Sequence, residues 1–183
     1  MDKGNWTIDA AHSGIHFSVR HLVVAKVRGQ FRRWNAVLTT DGDDLTRSSV
    51  AVTIEAASVD TGSPERDGHL RSPTFFDAET FPALTFQSRR IERAGSDSYR
   101  LIGDLTIRDV TREVTLDVEH GGFVQDPWGK RRVGFAARAS IDRREFGMVW
   151  NQTLETGGLF VGDRVDIAVE IEAVAEAPQL AVA

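Results

Sequence analysis

The chain has 183 residues, 41% apolar and 27% charged, with a formal net charge of −5 and no cysteine. That length suits one sizeable hydrophobic core, and no Pro/Gly/Ser-rich linker divides it. The composition excludes a disordered chain, disulfides, a thiol nucleophile and a thiolate metal site, and no run approaches the roughly 18 apolar residues of a transmembrane helix.

Eight stretches alternate apolar and polar residues with a period of two, the pattern of strands with one apolar and one wet face. The first places Ser13, Ile15, Phe17 and Val19 on one face and Gly14, His16, Ser18 and Arg20 on the other. The second, residues 27–38, carries Val27, Gly29 and Phe31, then shifts parity to Trp34, Ala36 and Leu38, as a bulge or sharp bend requires. Asp41-Gly42-Asp43-Asp44 supplies turn chemistry, and the third strand turns Val50, Val52 and Ile54 inward.

The period fails over residues 61–82. Pro64, Pro73 and Pro82 punctuate this stretch, Phe75, Phe76 and Phe81 lie among them, and Pro64-Glu65-Arg66-Asp67 reads as the first turn of a short helix. It is a helical crossover over one end of the sheet, its aromatics plugging that end or lining the way in. Alternation then resumes in five strands: Leu84 and Phe86; Leu101, Gly103, Leu105 and Ile107; Val114, Leu116 and Val118; Val133, Phe135, Ala137, Ala139 and Ile141; and Val165, Ile167, Val169 and Ile171. An irregular loop, residues 142–162, precedes the last. Mostly short turns favour antiparallel neighbours, since parallel pairs need a crossover of about a dozen residues. The expected fold is all-β, an antiparallel up-and-down barrel of about eight strands with a short helical crossover; a β-sandwich is the rival. One domain is expected over residues 1–174, with a flexible tail at 175–183.

Residues 6–21, WTIDAAHSGIHFSVRH, and the Val27-Arg28-Gly29-Gln30-Phe31 step resemble the opening of the YceI-like family. The resemblance continues through Arg66-Asp67-Gly68-His69-Leu70, Phe75-Phe76-Asp77, Phe81-Pro82 with Thr85-Phe86, Gly103-Asp104-Leu105-Thr106-Ile107, Arg144-Glu145-Phe146-Gly147 and Val161-Gly162-Asp163. It implies an extended lipocalin-like barrel that holds a long amphiphile, typically a polyisoprenoid, and in many members a homodimer. Many members carry an export leader. Here the polar start shows no basic segment followed by an apolar one, so a cytoplasmic protein is expected.

Basic residues are scattered in pairs such as Arg32-Arg33 and Arg131-Arg132, without the stripe of a nucleic-acid binder. His12 and His16 share a strand face but stand about 13 Å apart, too far for one ion, and His21 has the opposite parity, so no metal site is expected. No nucleophile, zinc-protease, phosphate-loop or dinucleotide motif appears; Gly157-Gly158 with Gly162 has the wrong spacing. Asp67 and Asp109 are read as turn or cap residues rather than acid/base groups. An inward stripe of Phe and Val is more often packed core than pocket. Small residues at Gly29, Gly103, Ala137 and Ala139 leave room, and an eight-stranded barrel is the size that either just fills or holds one small ligand.

The expected function is therefore non-enzymatic binding, storage or transport of a long-chain amphiphilic lipid, a polyisoprenoid or isoprenoid quinone, with no other cofactor. Fatty-acid or fatty-amide binding in the same lumen, a lipid-modifying enzyme and a ligand-free interaction module are the alternatives. Candidate wall residues are Phe17, Val19, Phe31, Val52, Ile54, Phe86, Leu105, Ile107, Leu116, Phe135, Ala137 and Ile141. Candidates for the mouth are Phe75, Phe76, Phe146 and Trp150. Head-group candidates are His21, Arg66 and His69, although Arg66, Asp67 and His69 equally suit anchoring the crossover to the barrel.

Overall fold

Alternating side chains build eleven strands: β1 (Lys3–Ile8), β2 (Gly14–His21), β3 (Ala25–Phe31), β4 (Trp34–Asp41), β5 (Asp44–Glu55), β6 (Val59–Asp60), β7 (Ala83–Arg93), β8 (Ser98–Ile107), β9 (Val110–Gln125), β10 (Arg131–Asp142) and β11 (Val161–Ala175). The structure, a computed structural model, describes residues 3–22, 25–42, 44–153 and 160–176. Every strand pairing among them is antiparallel.

The eleven strands make eight walls, because three walls are bent strands. One long edge of β11 pairs with β2 over Val161 to Glu170 and with β1 over Ala173 to Ala175, so β1 and β2 form a single wall. β3 and β4 form the next, broken at Arg32-Arg33, where the parity shift in the sequence predicts a bend. Here Arg32 N–H donates to the Ser58 carbonyl and Glu55 N–H to the Arg33 carbonyl, each at 3.0 Å, while Arg33 also pairs with the Glu55 carboxylate. The third bent wall is β5 and β6, joined by a 3₁₀ turn, Ala56–Ser58, whose Ala56 is fully buried. The β1–β11 ladder closes the ring, so a closed eight-walled barrel forms rather than a sandwich.

The segment over 61–82 contains helix α1 (Pro64–Arg71), with Ser63 at its N-cap and Pro64 in its first turn. The strands on either side of it, β5 and β7, pair antiparallel, Ile54 opposite Leu84. Two expectations need correction. β1 is a separate strand, carrying Trp6 into the barrel's second core cluster beside Leu38, Val133 and Ala173. The expected tail at 175–183 begins too early: Ala175 belongs to β11, and Glu176 is bound on both sides, its N–H to the Asn5 carbonyl and its carboxylate to Thr7 Oγ1. The rest of that tail, and Gly157-Gly158, lie outside the described residues.

Candidate functional site

The inward faces of the strands do not meet at the barrel axis. They enclose a cavity of about 700 Å³, inside the roughly 300–1,000 Å³ range of small-molecule sites. Each wall residue expected from the sequence lines it: Phe17 and Val19 on β2, Phe31 on β3, Val52 and Ile54 on β5, Phe86 on β7, Leu105 and Ile107 on β8, Leu116 on β9, and Phe135, Ala137 and Ile141 on β10. Ala139 lines it too. The other two small residues contribute no space. A Cβ on Gly29 would lie 2.4 Å from the Phe17 ring, and one on Gly103 would lie 2.5 Å from both the Phe86 ring and the Gln87 carbonyl oxygen. These glycines are seats for aromatic rings, a role that alternation alone does not reveal.

Of the lining residues that are also exposed, three, Glu65, Arg66 and His69, belong to α1 and mark the mouth; the fourth, His16, lies midway along β2. The helix is fastened by hydrogen bonds: Asp67 Oδ1 accepts from Thr61 N–H at 2.9 Å and from Thr61 Oγ1 at 2.6 Å, and Arg66 donates to Thr61 Oγ1 at 2.8 Å and to its carbonyl at 2.9 Å. Asp67 is buried and is an anchor. Arg66 both anchors and faces the cavity, while His69 packs edge-on against Phe75 at 5.0 Å and Trp150 at 4.8 Å. His21 lines the same end, against Phe160 at 4.6 Å. Phe75, Phe76 and Trp150 line the cavity as expected of mouth residues. Phe146 does not. It sits in the 3₁₀ turn Arg143–Phe146 and is 1% exposed within the main core, because that turn directs it beneath the loop and not toward the opening.

Residues 148–150 are held over the mouth by Arg143, itself a lining residue, which donates to the carbonyls of Met148 and Trp150 and pairs with Asp163 at 3.0 Å. Several other lining positions were not singled out from sequence: Leu45, Ser48, Ile91, Tyr99 and Phe160. Tyr99 continues the parity of Leu101, and Ser48 that of Val50, so extending each alternation by one step finds them. Ile91 lies beyond a register shift between Ser88 and Arg90, which breaks the parity.

At the opposite end, His120 lies between Phe123 and Phe135, with ring centroids 4.9 and 5.3 Å away. Its Nε2 is buried without a hydrogen-bond partner among the described residues, and burial pushes its pKa down. Nearby, Arg132 gathers Asp9 at 2.9 Å, Asp126 at 2.9 Å and Glu172 at 2.5 Å. Asp9, His12 and Glu172 bring ligand atoms within 4.8 Å of one another. The Arg132 guanidinium already bonds both of those carboxylates, so a protein cation offsets part of their charge.

The lumen offers a long apolar surface with cationic groups at one end. Such an arrangement suits holding an amphiphile. Comparison with known proteins agrees in fold. The YceI-like domain family matches residues 6–173. A UPF0312 protein of Staphylococcus epidermidis is 38% identical over 173 residues, covering 94% of this chain and 97% of that protein. Among solved structures, BcnA of Burkholderia cenocepacia aligns with a TM-score of 0.79 at 25% identity over 91% of this chain and 99% of that one. A polyisoprenoid binding domain from Saccharophagus degradans aligns at 0.68, covering 95% and 98%; at 15% identity that likeness concerns the fold.

Proposed function

This chain belongs to the YceI-like family, and from that premise we propose that it is a non-enzymatic carrier or store for a long-chain amphiphilic lipid of the polyisoprenoid or isoprenoid-quinone class. The observation that carries the reading is the apolar cavity of about 700 Å³, with the exposed lining residues Glu65, Arg66 and His69 of α1 at one end. The name of the Saccharophagus domain supports the prenyl class. Burying a methylene contributes about 0.8 kcal/mol, hence roughly 3–4 kcal/mol per isoprene unit before ordering costs. Three or four units then reach tight binding without a head group. The tail drives affinity, and Arg66, His69 and His21 select among heads.

Native mass spectrometry of protein purified without detergent, with solvent extraction of the released molecule, tests this. A discrete adduct of a few hundred daltons, extractable as an intact prenyl chain, is the expected result. An acyl chain would move the ligand to the fatty-acid class, and an altered lipid after incubation would make the protein an enzyme. Bare protein that takes up no prenyl or acyl chain would overturn the carrier reading. Filling the lumen at mid-height by Ala139→Phe is expected to remove most retained ligand of about five units or longer while circular dichroism stays unchanged.

A further inference from the structure

The lumen has two unlike ends, and the difference bears on which chains it accepts. At the mouth, lining residues Glu65, Arg66 and His69 are exposed. At the far end Leu38, Leu45, Tyr99, Phe135 and Ile171 line the cavity as a floor. Behind that floor Trp6, Val133 and Ala173 are 6%, 1% and 0% exposed and take no part in the lining. This plug is fastened: Trp6 Nε1 donates to Thr40 Oγ1 at 3.0 Å, and the Trp6 ring lies 5.8 Å from Phe123. Among the described residues, a chain entering at α1 meets packed side chains at the bottom.

We infer that this floor is a ruler: it sets the length of tail that the lumen holds, with Phe135 as the residue that fixes the depth. The inference rests on the carrier reading above. Along β11 the lumen runs from Val161 to Ile171, both lining residues; at about 3.3 Å per residue and a strand tilt near 40°, that is a depth of about 25 Å. An extended chain advances about 1.2 Å per bond, so about 20 main-chain bonds fit, or about five isoprene units. The volume agrees, since 700 Å³ holds about 23 groups of roughly 30 Å³ each.

The register supplies variants that move the floor both ways. Phe135 lies opposite Ile171, and Ala137 lies opposite Val169, two residues nearer the mouth. Phe135→Ala deepens the lumen. Ala137→Phe raises the floor by about 5 Å, about one isoprene unit.

The experiment is competition among prenyl alcohols of two to eight units, supplied from phosphatidylcholine vesicles, with relative occupancy read by native mass spectrometry. For the unaltered protein, occupancy is expected to rise with each added unit and level off at about five. The plateau is expected to move about one unit longer in Phe135→Ala and one shorter in Ala137→Phe. Should Phe135→Ala not fold, Phe135→Leu replaces it. Occupancy that rises without a plateau, or a plateau unmoved in both folded variants, overturns the ruler and leaves the carrier reading standing. Absence of uptake at every length overturns the carrier reading itself.

Discussion

Arg143 shows how much a single side chain holds in place. Its guanidinium donates to the carbonyls of Met148, Trp150, Val161 and Gly162 and to Asp163 Oδ1, although the side chain is only 3% exposed. Burial disfavours its charge and pushes the pKa down, against the pull of Asp163. Removing such a group strands several acceptors, so Arg143→Ala is expected to cost about 3–5 kcal/mol in urea unfolding and to loosen Trp150, read by its fluorescence. Arg143→Lys is expected to recover only part, since an ammonium cannot fan out to the same oxygens. A loss below about 1 kcal/mol would show that the loop holds itself. Gly103→Ala is a second case: its new Cβ would strike the Gln87 carbonyl, a backbone atom, and the expected cost is about 1–3 kcal/mol. Residue type alone could not show this. Gly103 reads in the chain as spare room, and only the neighbouring strand reveals that the Phe86 ring occupies it.

Helix α1 is the element that owes least to hydrophobic burial. Of its eight residues only Asp67 is buried, with Leu70 and Arg71 half-buried, so it is tied down by Asp67, Arg66 and the bond from Arg71 to the Ala57 carbonyl. Asp67→Ala is expected to cost about 1–3 kcal/mol locally and to speed ligand exchange and amide exchange over 61–71 while barely affecting the β8–β9 ladder. Uniform loss of protection across the barrel would show that α1 belongs to the global fold. This helix was legible because Pro64 followed by Glu65, Arg66 and Asp67 is a start signal. The strands were legible wherever alternation ran unbroken. It failed at the register shift in β7, which hid Ile91, and at β1, whose short run looked like a polar lead-in.

Across the whole molecule, closure made the fold readable: eight walls with one apolar face each have few ways to hide those faces. The mouth was less readable, since its residues come from α1, β2 and the loop after β10 and meet only in space. Electrostatics at the same scale predict acid sensitivity. Asp142, bonded by Arg144, and Asp166, bonded by Arg164, Ser140 and Lys26, are both held down to about 2, below the ordinary 3.8. Depressed carboxyls contribute stability that is complete above the unfolded value and is lost as pH falls through the folded one. These two therefore lower the urea midpoint between about pH 4 and pH 2 and leave it unchanged above about pH 5. The double variant Asp142→Asn/Asp166→Asn is expected to flatten that acid limb, and an unaltered limb would place the sensitivity elsewhere. Closure has a further consequence. The ladder that seals the ring pairs Thr7 with Val174 at the plugged end, far from α1. A tether or fusion attached beside β1 or after β11 would therefore leave the opening turned outward, so the protein can be immobilised through either without obstructing traffic at its mouth.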